Sequence, residues 1–232
     1  MKTGKISKIK VGVIIAAAGD SLRMQGVDKI LAPLAGKPVL AWSIEAFEQF
    51  PEVDRIILVN SERHLGPVKC LTVDHKWTKV ADVCVGGKRR QDSVAAGLKL
   101  LGHCEWVIIH DGARPLVSRD IIERGLQAAQ ETGAAVAAVP VTDTIKAAGN
   151  DHIVIDTPPR SQLWAVQTPQ VFRFSMIEEA YRQAKGDVTD DATLVEQIGG
   201  KIKLFMGSYN NIKITTPRDL AVAELLLKNH GQ

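Results

Sequence analysis

Val11–Lys29 reads VGVIIAAAGDSLRMQGVDK, and this stretch decides the fold. Val11 to Ala17 is an apolar run of the length of one buried strand. Small residues follow, Ala16, Ala17, Ala18 and Gly19, so a ligand can come close to the main chain. Arg23 and Lys29 then supply fixed positive charge. A strand that empties into a small-residue loop with two cations suits a polyphosphate: backbone N–H groups cradle the oxygens and the cations neutralise their charge. The competing reading is an ordinary strand–loop junction with surface cations. The loop is not a P-loop, because no Gly-Lys-Ser/Thr ends it. Nor is it a dinucleotide fingerprint, because Ser21 stands two residues after Gly19 and no Gly-x-x-Gly spacing follows.

Outward from this strand the chain alternates. Helix is expected at Pro38–Gln49, strand at Arg55–Asn60, and helix with a break at Gly66-Pro67 over Ser61–Lys79. Strand is expected at Ala81–Val85, helix at Gln91–Leu101, strand at Glu105–His110, helix at Ser118–Thr132 with Ser118 as N-cap, and strand at Ala134–Val139. Nearly all-apolar strands between helices predict an α/β fold: a Rossmann-like, mostly parallel sheet with helices on both faces. From Val141 to Gln167 the rhythm changes to short apolar pieces around Gly149-Asn150, which predicts a protruding β-arm. Helices return at Arg173–Lys185 and Asp190–Gly199, then strand at Lys201–Met206 and helix at Pro217–Lys228. The chain therefore reads as one domain over 1–232, with 141–167 as its arm. An isolated hairpin is marginal in water, so the arm is expected to pack on another copy of the chain.

Composition fits a globular protein of 232 residues, 45% hydrophobic and 24% charged. A net charge of +3 with scattered cations gives no footprint for nucleic acid. The apolar run at Val11–Ala18 is too short to span a membrane, and the opening MKTGKISKIK lacks a signal-peptide core. Cys70, Cys84 and Cys104 are odd in number and widely spaced, which predicts reduced thiols and a cytoplasmic location.

Ligands of open parallel sheets bind beyond the carboxyl ends of the strands. Four polar clusters follow strands there: Gly19–Lys29, Gly86–Ser93, Asp111–Pro115 and Val141–Lys146. They are expected to converge on one rim. Asp111 is placed as a metal-side carboxylate or as a turn aspartate. Arg114 pairs with a nearby carboxylate or contacts a ligand. His110 faces the core. Nothing resembles a Ser-His-Asp set on a nucleophile elbow.

The Arg23-Met24 pair and the later Lys29 resemble the signature loop of sugar-nucleotide pyrophosphorylases, G-x-G-x-R-M…K. AAAG…RM…K, then GGxxRxxSV (Gly86, Gly87, Arg90, Ser93, Val94), HDGARP, PVTDTIK, PPRSQLWAVQTPQ, TDDA and NIKITTPRDL together resemble the 2-C-methyl-D-erythritol 4-phosphate cytidylyltransferase family, over roughly Val11 to Leu226. The resemblance implies transfer of a cytidylyl group from CTP to methylerythritol phosphate with release of pyrophosphate, a Mg²⁺ cofactor, and a homodimer in which each arm reaches its neighbour's active site. By motif match, Arg23 and Lys29 take the triphosphate and stabilise the pentavalent α-phosphorus. Ala16, Ala17, Ala18, Gly19, Gly87, Ser93, Asp111 and Gly112 surround the nucleotide. Thr144, Arg160, Thr168, Thr189 and Lys213 hold the methylerythritol phosphate. The chemistry agrees. A phosphate monoester has a second pKa of about 6, so the nucleophile needs no general base near neutrality. The difficulty is bringing two polyanions together, which Arg23, Lys29, Arg160, Lys213 and Mg²⁺ are suited to do.

Three departures from the family pattern stand out. Ser21 replaces a usual glycine, behind an acidic Asp20. RMQGVDK lacks the common proline before Lys29 and is one residue short. Gly112 stands where alanine is frequent. The alternatives are ribitol-5-phosphate cytidylyltransferase, which shares the nucleotide loop, and a non-catalytic nucleotide-sensing module, against which the retention of Arg23 and Lys29 argues.

Overall fold

The structure, a computed structural model, describes residues 11–19, 24 and 28–230. Strand β1 is Val11–Ala17, as the sequence predicts. Val11, Val13, Ile15 and Ala17 enter one core and Ile14 the opposite one, so the strand is apolar on both faces and belongs in mid-sheet. It pairs in parallel with β4 (Val53–Asn60) on one side and β6 (Trp106–Asp111) on the other. The remaining strands of the sheet are β5 (Val80–Val85), β7 (Ala134–Pro140), β10 (Trp164–Arg173) and β11 (Lys203–Met206). Their order is β11-β7-β10-β6-β1-β4-β5.

Helices cover both faces. α1 (Val39–Glu48), α2 (Leu65–Asp74) and α4 (Arg119–Thr132) bury Leu40, Ile44, Phe47, Val68 and Ile121 against one face. α3 (Arg90–Leu101), α5 (Phe174–Arg182) and α6 (Asp191–Gln197) bury Val94, Leu98, Phe174, Ile177 and Leu194 against the other. Ser118 caps α4 by accepting from the Ile121 N–H, and Gly133, at φ 84°, closes it in the left-handed conformation that a side chain disfavours. The last helix, α7 (Pro217–His230), packs Ala223 beside Met24, Leu34 and Ile214 in a third, smaller core.

Three expectations need correction. Gly66-Pro67 does not break a helix; it lies in the first turn of α2, where proline gives up no intrahelical bond. Pro33–Leu34 and Lys37–Pro38 form a small antiparallel ladder, β2 and β3, within a stretch that gave no strand signal. The arm is also shorter than 141–167, because Trp164 already belongs to β10. That strand runs antiparallel between β7 and β6, while the other neighbours in the sheet are parallel. The arm proper carries only β8 (Ala147–Ala148) and β9 (Val154–Asp156), joined by a turn in which the Gly149 N–H donates to the Ile153 carbonyl at 3.0 Å.

Candidate active site

Parallel strands deliver their carboxyl ends to one rim, and the loops after β1, β4, β5 and β6 enclose a cleft of about 590 Å³ there. Ala16, Ala17, Ala18 and Gly19 form one wall and Gly86-Gly87 another. The glycine pair is a packing necessity. A Cβ on Gly86 would fall 2.5 Å from Ala18 Cβ and 2.5 Å from Ser93 Oγ, and one on Gly87 would fall 2.3 Å from Asp92 Cβ. Ser93 fixes that turn: its hydroxyl accepts from the Gly87 N–H at 3.1 Å and donates to the Arg89 carbonyl at 3.2 Å. Lys29 lines the cleft, and a Cβ on Gly19 would lie 3.6 Å from its Nζ, so the ammonium stands over the first loop. Arg23, with Asp20 and Ser21, lies outside the described residues.

A second cleft, of about 610 Å³, opens beside the first and takes in Thr168, Thr189, Asp190 and Thr193. Arg90, Asp111 and Lys213 line both clefts and form the wall between them. Asp111, at the end of β6, receives Lys213 Nζ at 2.8 Å, Arg90 Nε at 3.3 Å and Arg114 Nε at 3.6 Å. Burial alone would raise its pKa. The three cations reverse that and hold the carboxyl well below the usual carboxylate range. Arg90 continues to Asp191 Oδ2 at 2.6 Å, and the Tyr181 hydroxyl donates to the other oxygen of Asp191 at 2.5 Å. Burial opposes the charge on Arg90, but Asp191 and Asp111 outweigh it and raise its pKa; burial and then Asp191 raise that of the Tyr181 phenol.

A hydrogen-bond chain holds Asp111 from beneath. His110 is fully buried, and burial depresses its pKa to about 4, so the ring is neutral near neutrality. Its Nε2 lies 3.1 Å from the Arg114 carbonyl, which can only accept, so Nε2 carries the proton. Nδ1 then accepts from the Thr168 hydroxyl at 3.0 Å, and the Thr168 oxygen accepts from the Asp111 N–H at 3.0 Å. As the sequence suggests, His110 belongs to the core. Arg114 lines the second cleft, donates to the Asn211 carbonyl at 2.7 Å and flanks Asp111.

Other expected site residues stand elsewhere. Gly112 is buried below the cleft floor. Its N–H donates to the Ala16 carbonyl at 2.9 Å, and a Cβ there would come within 3.0 Å of Ala17 Cβ and Leu40 Cδ1. The cluster Val141–Lys146 does not join the other three on the rim; it leads into the arm, where Thr144 and Arg160 are exposed and line neither cleft. Arg160 Nη1 donates to the Thr142 carbonyl at 2.7 Å. Residues that the sequence did not single out for the site are Arg90, Asp191 and Tyr181. Arg90 sits one turn before Val94 on the buried side of α3, a spacing that marks it as turned inward from the Lys88-Arg89-Arg90 run.

Among the described residues no cluster of three or more His, Cys, Asp or Glu side chains stands ready for a metal, and no helix is long and apolar enough to cross a membrane.

A family model for 2-C-methyl-D-erythritol 4-phosphate cytidylyltransferase matches residues 11–229. A protein of that name from Dehalococcoides mccartyi is 53% identical over 219 residues, covering 94% of this chain and 96% of its own length. Another from Alkaliphilus oremlandii is 45% identical, covering 96% of this chain and 97% of its own length. Among solved structures, 4-diphosphocytidyl-2C-methyl-D-erythritol synthase from Anaerococcus prevotii superposes with a TM-score of 0.83 at 31% identity, over 95% of this chain and 99% of that one. The 2-C-methyl-D-erythritol 4-phosphate cytidylyltransferase of Thermus thermophilus gives 0.77 at 33% identity, over 95% and 100%.

Proposed function

This chain belongs to the 2-C-methyl-D-erythritol 4-phosphate cytidylyltransferase family, and on that premise we propose how its two clefts divide the reaction. It is a CTP-dependent nucleotidyltransferase of non-mevalonate isoprenoid biosynthesis. It joins CTP and methylerythritol phosphate to give 4-diphosphocytidyl-2-C-methyl-D-erythritol and pyrophosphate. The ribitol phosphate reading is not favoured.

In our reading CTP fills the cleft of the alanine loop and the Gly86-Gly87 turn. The observation that carries this is the shared wall of Arg90, Asp111 and Lys213, since an in-line transfer needs two anions to meet at one cationic partition. A phosphate oxygen of methylerythritol phosphate attacks the α-phosphorus. A new P–O bond forms as the bond to the bridging oxygen breaks, and pyrophosphate departs with that electron pair. Lys29 and Lys213 stabilise the charge that accumulates on the α-phosphoryl group. Arg23 is assigned with them on its motif match. The Gly86-Gly87 turn, closed by Ser93, makes a slot narrow enough to favour a pyrimidine over a purine.

Asp111 fits a Mg²⁺ partner, because that ion takes one or two carboxylates and completes its shell with water and substrate phosphates. Bound there, Mg²⁺ would neutralise triphosphate charge. Asp111 is kept ionised for that role by its cations.

We read the arm as reaching a second copy of the chain. Its apolar side chains Ile153, Val154 and Ile155 are 66%, 52% and 74% exposed, and its strands of two and three residues cannot hold alone. Thr144 and Arg160 would then complete the partner's methylerythritol phosphate site, and the enzyme would be a homodimer. All three cysteines are free, which fits a cytoplasmic enzyme. The test is to incubate the protein with Mg²⁺, each nucleoside triphosphate and either methylerythritol phosphate or ribitol 5-phosphate, and to weigh the products. CTP with methylerythritol phosphate should give the diphosphocytidyl product and pyrophosphate. Equal turnover of ATP, or preference for ribitol phosphate, would refute this reading.

A further inference from the structure

Lys29 stands on a turn whose entry residue, Asp28, is tied to the opposite side of the nucleotide cleft. Asp28 divides its carboxylate. Oδ1 accepts from the Ile30 N–H at 2.9 Å and the Leu31 N–H at 3.4 Å, so it closes the backbone around Lys29. Oδ2 accepts from Nε2 of His64, with the exposed Arg63 guanidinium farther off at 3.8 Å. His64 is 4% exposed, and its second nitrogen, Nδ1, meets Ser61 Oγ at 2.9 Å. Ser61, just after β4, lines the same cleft as Lys29. In either protonation state of the ring the bridge is complete: the hydroxyl donates to a bare Nδ1 or accepts from a protonated one.

The far end of the turn is held differently. The Leu40 N–H donates to the Ile30 carbonyl and the Val39 N–H to the Ala32 carbonyl, each at 3.0 Å, which fixes it to the start of α1 by main chain alone. Among the described residues the entry end is anchored to the far side of the cleft through side chains, by the Asp28–His64–Ser61 bridge with Arg63 beside it.

We infer that His64 is a positioning residue for cytidylyl transfer, acting through Asp28 on the turn that carries Lys29. The inference rests on the proposed role of Lys29 in the reaction. A cation that must meet a transferring phosphoryl group loses much of its effect when displaced by about 1 Å, a displacement that can cost up to about a hundredfold in rate.

The test is steady-state kinetics of the full chain with CTP, Mg²⁺ and methylerythritol phosphate, alongside thermal melting, for His64→Ala, His64→Gln, Asp28→Asn and the reference Lys29→Ala. His64→Ala should lower kcat about tenfold or more and leave the KM for methylerythritol phosphate within about twofold. His64→Gln, whose side-chain amide can donate in place of Nε2–H, should recover most of that loss. Adding Asp28→Asn to His64→Ala should cost little more, because both act through one bridge. A folded His64→Ala enzyme with near-normal kcat, beside a crippled Lys29→Ala enzyme, overturns the inference. So does a His64→Gln enzyme no faster than His64→Ala at equal melting temperature. Normal turnover by Lys29→Ala overturns the role of Lys29 and this inference with it. If His64→Ala does not fold, Asp28→Ala, measured in the same way, decides: lost kcat at an unchanged melting temperature supports the bridge, and full activity refutes it.

Discussion

His110 makes the stability of this protein depend on pH well above the range where carboxylates titrate. The ring is fully buried, and that burial depresses its pKa from an ordinary 6.5 to about 4. The unfolded chain therefore binds a proton at pH values where the folded chain does not, and the native state loses ground as pH falls from about 6.5 towards about 4. The whole gap is worth about 3 kcal/mol at about 1.4 kcal/mol per pKa unit. Between about pH 7 and about pH 5 the share from this one ring is about 2 kcal/mol. Carboxylates held low in the fold, Asp111 among them, add to acid sensitivity only nearer their own ordinary pKa of 3.8. Urea denaturation of the native chain and of His110→Gln at both pH values isolates the effect, because every other group is common to the two proteins. The variant is expected to be less stable throughout, since it breaks the chain from Thr168 to Arg114, but to lose about 2 kcal/mol less on acidification. Equal losses in the two proteins would show that the folded-state ring titrates normally, and the buried neutral histidine would be wrong.

Other perturbations read other parts of the site. Gly86→Ala forces a methyl group to within 2.5 Å of Ala18 Cβ and Ser93 Oγ, so the KM for CTP should rise about tenfold with little change for methylerythritol phosphate; an unchanged CTP KM would remove this turn from the nucleotide site. Lys213→Met should cost about 10²–10³ in kcat/KM. A smaller loss, measured with either substrate varied, would reduce Lys213 to a surface ion pair. Arg160→Ala and Lys29→Ala chains, each inactive alone, should recover part of the activity when mixed into dimers, because one of the two sites then has both native groups; failure of verified mixed dimers to regain turnover would rule out a shared site.

Much of the fold was legible because β1, β6 and β7, which carry the middle of the sheet, are nearly all apolar. Val11–Ala17 was read to the residue, since a run that is buried on both faces has no competing pattern. β10 escapes, its first residues falling in the expected arm, because WAVQTPQVFR contains a proline and two glutamines that interrupt the apolar run. In the fold those glutamines are buried connectors: Gln170 donates to Asp190 Oδ2 at 2.8 Å and Gln167 to the Ser208 carbonyl at 2.9 Å. An interior amide that serves another segment carries no local periodicity. The site was legible where glycine and alanine line it and hidden where distant charges meet. Nothing in the spacing of Arg90, Asp111 and Asp191 announces that they adjoin, and Arg89 beside them turns outward to Asp92 and Asp187. His64 and Asp28, likewise, are 36 residues apart in the chain.

The partition of Arg90, Asp111 and Lys213 has a thermodynamic consequence of its own. On the proposed division of the clefts, a triphosphate on one side would compete with Asp111 for Lys213 and Arg90, and a phosphate monoester on the other side would compete for the same two cations. The two binding equilibria would then be one system, with each substrate a heterotropic effector of the other. Whatever factor the nucleotide applies to the affinity for the polyol phosphate, the polyol phosphate must return to the nucleotide.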